Sequence, residues 1–210
     1  MASDKPSAGH VFKNTFWLWF DHLGKSIGFN LLFLLTSLPL VTLPASCGAL
    51  MHVTRLLIEQ KEARFSDYVA GFIRTGIRFT LFWLCILLFF AVCLVDVYFY
   101  VRTPSFISAI LNSWVLIAAV CGCMLMLYVP TLLIVHTGRG VLKIAATILL
   151  ANFFFSLKAL LLAAVIKLIC LLTALPVILF MFTFLALFLH FTYMEATGTW
   201  TGMRPEYAKE

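Results

Sequence analysis

Charge is what this sequence has least of. Only 11% of its 210 residues are Asp, Glu, Lys or Arg, against 63% that are hydrophobic, and the mean hydropathy is +1.04. A water-soluble domain carries roughly a quarter of its residues as charges. That shortfall excludes an ordinary soluble globule and places the apolar surface in lipid. Other absences narrow the class further. The chain has no GxSxG, HExxH, P-loop or GxGxxG motif, so the common hydrolase, metalloprotease and nucleotide-binding chemistries are not expected. Its six cysteines (Cys47, Cys85, Cys93, Cys121, Cys123, Cys170) form no CxxC pair, and all but Cys47 lie inside apolar runs. They read as small buried hydrophobes, with no metal centre and no disulfide framework expected. No cofactor is expected and no enzymatic activity. A cleavable leader is not expected either: Pro44-Ala45-Ser46-Cys47 carries proline where a lipoprotein cleavage site needs a leucine-like residue, so the first apolar run reads as a retained span.

What the chain does have is long apolar runs. Residues 1–10 are polar. Residues 11–25 mix Phe12, Phe16, Trp17, Trp19 and Phe20 with Lys13, Asp21, His22 and Lys25. Aromatics and charges together suit a helix in the headgroup region, or an extension of the first span. Runs long enough to be spans cover residues 27–43, 77–101, 106–136 and 142–194. The last is about twice the 20 or so residues one crossing needs. It divides into 142–166 and 172–194, with the reversal between Lys167 and Pro176. Residues 45–76 form a polar-flanked amphipathic segment read as two surface helices, the second capped by Ser66 or Asp67. Residues 198–210 form a polar tail. The expectation is an all-α polytopic transmembrane helical bundle of five spans plus amphipathic interfacial helices, in one membrane domain.

The basic residues set an orientation. One side would hold nine, Arg55, Lys61, Arg64, Arg74, Arg78, Arg139, Lys143, Arg204 and Lys209. The other would hold five, Lys5, Lys13, Lys25, Arg102 and Lys167. The richer side is cytoplasmic by the positive-inside rule, and it carries the C terminus. The net charge of +6 then serves topology and anionic headgroups, with the lipid bilayer and not nucleic acid as partner.

Polar residues inside the spans are the candidates for function. Ser37-Leu38-Pro39-Leu40-Val41-Thr42-Leu43-Pro44 ends the first run with two prolines five residues apart. Each removes a helical amide, Pro39 the one directed at Leu35 and Pro44 the one directed at Leu40. The hydroxyls of Ser37 and Thr42 are placed to satisfy freed carbonyls, and the axis should bend by more than about 20° between Leu35 and Leu50. Asp96 is the one acidic residue well inside a span, and Lys158 the one base deep in the fourth. At about 1.5 Å per residue they lie roughly 27 Å from Arg78 and roughly 22 Å from Lys143. Two readings follow. They form a proton- or substrate-linked pair, or, the reading preferred because neither is at the midplane, each reaches the outer interface by itself. Asn112 and Asn152 are expected to bond across helices. His136 and His190 read as structural or interfacial.

Several of these residues carry a resemblance. Asn30-Leu31-Leu32, the stretch from Ser37 to Thr42, Ala49-Leu50, Asp67-Tyr68 with Phe72, Leu94 to Tyr98 with Asp96, and Tyr128-Val129-Pro130 together resemble the YesL-like family of small bacterial membrane proteins. The chain departs from that pattern at Pro44, where glycine or another small residue is expected. The resemblance implies a bacterial inner-membrane protein linked to carbohydrate uptake or use, with a partner such as a sugar ABC permease, and it supplies no catalytic residues. Residues alone leave a second function open, a small homo-oligomeric transporter or channel lined by Asp96, Lys158 and Asn30. A third is a sensor signalling through residues 45–77.

Overall fold

A computed structural model of the chain describes residues 7–102, 105–136, 140–172 and 181–199. Among the described residues the structure is helical and has no strand. The helices are α1 (Ala8–Asp21), α2 (Leu23–Ser37), α3 (Leu43–Ile58), α4 (Phe65–Arg102), α5 (Phe106–Leu125), α6 (Val129–Val135), α7 (Val141–Ala151), α8 (Phe153–Leu172) and α9 (Phe182–Thr197), with a 3₁₀ turn at Leu40–Thr42. Three stretches are long and apolar enough to cross a membrane: Leu40–Ile58, Phe65–Tyr100 and Ala109–Val135. A fourth results if α7 and α8, bent by 99° at their junction, act as one broken span.

The helix boundaries differ from the predicted spans in ways the local chemistry explains. The helix over residues 27–43 is α2, which stops at Ser37 and is only 15 residues long, short of the 20 or so a crossing needs. The stretch with span length begins beyond the break, at Leu40, and takes in residues read from sequence as a surface helix. The second surface helix is not separate from the next span. Phe65–Arg102 is one helix of 38 residues, about 57 Å long, because no proline interrupts it and its glycines (Gly71, Gly76) face a neighbour. Of the reversal predicted between Lys167 and Pro176, residues 167–172 continue α8 as helix to Leu172, and 173–176 lie outside the described residues.

Local capping accounts for the loop between α3 and α4. Lys61 N–H bonds the Leu56 carbonyl (2.9 Å) and Gln60 N–H the Leu57 carbonyl (3.1 Å), the two bonds of a Schellman ending. Its left-handed position is held by Gln60 (φ 55°) where glycine is usual. Asp67 Oδ2 then accepts the Arg64 N–H at 2.8 Å, one half of a capping box for α4.

Small residues set the tightest packing in the molecule, α3 against α4. A Cβ on Gly48 would lie 2.9 Å from the Phe79 ring and nearer still to Thr75; one on Gly71 would lie 3.0 Å from His52; one on Gly76 would lie 3.2 Å from Ala45. As the numbering falls on α4 it rises on α3, so the pair is antiparallel, and backbones approach wherever side chains are missing. One buried cluster joins Phe29 and Phe33 of α2, Ala49 to Leu57 of α3 and Tyr68 and Phe79 of α4. A second joins Val11 and Leu18 of α1 with Tyr128, Leu132, Phe155, Leu187, Phe188 and Phe191.

Candidate functional site: buried polar contacts between the helices

The break after α2 is held by hydroxyls. Pro39 is extended (ψ 112°) and starts the 3₁₀ turn. The Thr42 hydroxyl lies 2.5 Å from the Thr36 carbonyl and 2.7 Å from that of Pro39, so it covers the end of α2. Ser37 Oγ donates back to the Leu34 carbonyl at 3.0 Å. Pro44 acts differently from Pro39. It sits in the first turn of α3, where an amide has no helical partner anyway, and the Leu40 carbonyl receives the Leu43 N–H instead. The bend expected between Leu35 and Leu50 is therefore an interruption of the helix, made at Pro39 alone. Next to it the Thr36 hydroxyl donates to the Leu32 carbonyl at 2.8 Å, which leaves Tyr68 to donate its O–H to Thr36 Oγ1, also at 2.8 Å. Ser46 Oγ lies 2.9 Å from Thr36 Oγ1 and 3.0 Å from the Thr42 carbonyl. Three helices, α2, α3 and α4, meet on this cluster.

A second node lies between α2 and α9. Asn30 Oδ1 accepts the backbone N–H of Thr183 at 2.8 Å and stands 2.7 Å from its hydroxyl, which is 3.1 Å from the Ser26 carbonyl. All three residues are buried. Thr183, the second residue of α9, is thus tied to α2 by both its amide and its hydroxyl. A third node is His190 on α9, whose ring Nε2–H donates to the Met51 carbonyl on α3 at 2.9 Å; a carbonyl only accepts, which fixes that nitrogen as the protonated one.

Charge enters at the C-terminal end of α3. Arg55 donates to Ile134 O at 3.1 Å, a carbonyl of the last turn of α6, and its Nε meets Glu59 Oε1 at 2.7 Å. Lys61 Nζ reaches Glu59 Oε2 at 2.6 Å. Partial burial works to raise the Glu59 carboxyl, but its hydrogen bonds from Lys61 and Arg55 outweigh that and hold it below the ordinary carboxylate range. At the other end of the chain Glu195 on α9 accepts the Ser7 N–H (3.1 Å) and pairs with His10 (3.3 Å).

Asn152 is the point where α7 and α8 part. Its Nδ2 donates across to the Ala196 carbonyl on α9 at 3.1 Å, the interhelical bond expected of it. Ser156 covers the Asn152 carbonyl (2.9 Å), and Tyr128 donates to Ser156 at 2.6 Å. The 99° turn here corrects the depth counted for Lys158, because a straight rise from Lys143 no longer applies.

Asp96 and Lys158 belong to none of these nodes. No ion pair joins them among the described residues; Lys158 is exposed on α8 and Asp96 half-buried on α4. Asn30, which a polar path through the chain would need, is occupied by Thr183. No three His, Cys, Asp or Glu side chains converge among the described residues. No family model, curated protein or solved structure matches the chain. Its reading rests on its own residues. In the three hydroxyl, amide and imidazole nodes the polar atoms bond backbone or hydroxyls of their own or a neighbouring helix, so their chemistry is the fixing of helix positions. The sequence singled out Thr42 and Asn152, and Tyr68 only as part of the family resemblance, but missed Thr36, Thr183 and the Met51 bond of His190. Threonine and serine in a helix satisfy themselves on the carbonyl four residues back, and nothing local marks those that also reach a second helix.

Proposed function

We propose that this chain is a non-enzymatic integral membrane protein that works as an accessory subunit, bound within the bilayer to another membrane protein. The observation that carries this reading is the α4–α5 hairpin. Its most apolar stretch, within Phe65–Tyr100, is only 6% buried inside the chain, against 50% for Leu40–Ile58. Leu84, Leu88 and Val95 of α4 and Trp114 and Ile117 of α5 are exposed along it. With 33% of the Ala109–Val135 stretch buried, the low cover belongs to α4, whose apolar face, continued by the exposed residues of α5, is open to lipid and to another protein's spans. The resemblance to the YesL-like family points to a bacterial inner membrane, to carbohydrate uptake and to a sugar ABC permease as the partner; the excess of Lys and Arg on one side points to a cytoplasmic C terminus.

Photo-crosslinking tests it. A diazirine side chain placed at Leu88, Val95 or Trp114 in native membranes should yield an adduct with a sugar permease, and one at buried Phe188 should not. Adducts only with lipid or with a second copy of this chain, across several growth sugars, would count against the accessory role. Solute flux through liposomes containing the purified chain, abolished by Asp96→Asn, would replace it with a stand-alone transporter. A reporter active only in the cytoplasm should work after Glu210 and fail between Arg102 and Ser105.

A further inference from the structure

The two ends of the described chain meet. Ser7 donates its backbone N–H to Glu195 Oε1 at 3.1 Å, and His10 meets Glu195 Oε2 at 3.3 Å. Further along, the Trp19 ring packs against that of Phe184, with centroids 6.1 Å apart. Numbering rises on α1 as it falls on α9, so the pair is antiparallel and Ser7 stands level with the last turn of α9.

Other points of the chain collect at that level. His190 bonds Met51, and Arg55 is near enough to Tyr193 to act on it electrostatically, so α3 runs parallel to α9. From Met51 to Ile58 and from His190 to Ala196 each helix rises about 10 Å. The loop from Glu59 to Arg64 therefore begins level with Glu195. Arg55 holds the Ile134 carbonyl at the end of α6, and Asn152 holds the Ala196 carbonyl. Ser7, Lys61, Glu62, Arg64, Gly198 and Thr199 are exposed here. Charges gathered like this avoid hydrocarbon, so the level lies at or beyond one surface of the membrane.

A bilayer cannot pass between groups in hydrogen-bond contact. We infer that Ser7 and Glu195 lie on the same side of the membrane, that the chain crosses an even number of times between them, and that α7 lies along this surface without crossing. This rests on the membrane-spanning reading above and not on the accessory role. The start of α7 follows the end of α6 by a few residues, and its other end is the Asn152 contact. The 99° turn there is where α8 leaves the surface, and exposed Lys143 of α7 reaches headgroups. Five crossings, the number expected from hydropathy, would put the termini on opposite sides. The basic residues agree with an even number. With Lys5 moved to the side of the C terminus, nine against five becomes ten against four, a stronger positive-inside bias.

The test places short epitope tags before Met1 and after Glu210 of the otherwise unaltered chain, and exposes right-side-out and inside-out inner-membrane vesicles to protease. Both tags should be lost together from the inside-out vesicles and survive in the others. Loss of one tag in each kind of vesicle overturns the inference, and so does protection of either tag in both kinds. A tag inserted between Arg102 and Ser105 should show the reverse pattern. If it is lost together with the terminal tags, α4 does not cross, and the membrane-spanning reading falls as well. For α7, a maleimide too polar to enter the bilayer should label Lys143→Cys above the parent chain's background from the side of the terminal tags. Labelling from the opposite side, or from neither, removes α7 from that surface.

Discussion

The α3–α4 contact and the α4–α5 contact share one helix and are built in opposite ways. Between Gly48 and Gly76 the first brings backbones together through glycine and alanine, and the hydroxyl of Thr36 on α2 then ties the two helices by meeting both Tyr68 of α4 and Ser46 of α3. The second has one comparable close approach, Gly122 under the Phe89 ring, where a Cβ would lie 2.7 Å from Cε1. On α5 the Asn112 Oδ1 is buried without a partner, so that atom does not make the interhelical bond expected of this residue. A helix pair that must hold one geometry uses backbone approach plus satisfied polar atoms. A pair that presents surface to lipid or to another protein can rest on side-chain packing, which tolerates adjustment.

Substitution separates the two contacts. The largest effect is expected from Gly48→Leu, which must push apart helices already touching through Thr75 and Phe79. Overpacking at such a site costs about 3 kcal/mol, read as a drop in thermal midpoint in detergent; an unchanged midpoint would show that the α3–α4 contact is as adaptable as the hairpin. Asn30→Leu should come next, at about 2 kcal/mol, because it removes the buried acceptor shared by the Thr183 amide and hydroxyl. Amide exchange at the start of α9 is the direct readout, and it should accelerate there more than elsewhere.

A smaller effect is expected from acid. The folded Glu59 carboxyl sits below its ordinary value of 4.5. Its pairing with Arg55 and Lys61 therefore adds stability that is whole above that value and is lost as pH falls through the lower folded one. Unfolding midpoints should drop over that acid window, and Glu59→Gln should flatten this part of the profile. The smallest change is expected from Gly122→Ala. The atom it meets is the far end of the Phe89 ring, which is partly exposed, so the ring moves aside at a cost of under about 0.5 kcal/mol. A loss approaching that of Gly48→Leu would erase the distinction between the contacts.

The hairpin was the more legible of the two regions. Residues 77–101 and most of 106–136 are plain apolar runs, and the structure gives them as the apolar parts of α4 and α5. The Pro39 break and the Thr42 hydroxyl were also readable, since both act within a few residues of sequence. Pro44 was misjudged because proline in a first turn and proline in a helix interior look alike until the helix start is known. Two further features were hidden for different reasons. Asn152 bends the chain through bonds to Ala196 and, with Ser156, to Tyr128, so its effect depends on residues 24 and more positions away. The extent of α3 was hidden by His52, Arg55 and Glu59, which mark a surface helix by composition. In the fold His52 lies against Gly71, Arg55 bonds the end of α6, and only the flanks stay wet.

The small-residue seam between α3 and α4 also bears on how the chain is made. Leu40–Ile58 is the least apolar of the three span-length stretches, and it leaves the ribosome before the far more apolar α4. Alone it has little to hold it in lipid, and Arg55 to draw it back to water. Once α4 emerges, the glycine and alanine positions let the two backbones dock, and the pair can enter the bilayer as one unit. The glycines that shape the mature contact would then first serve as an insertion signal, read between two helices and carried by neither.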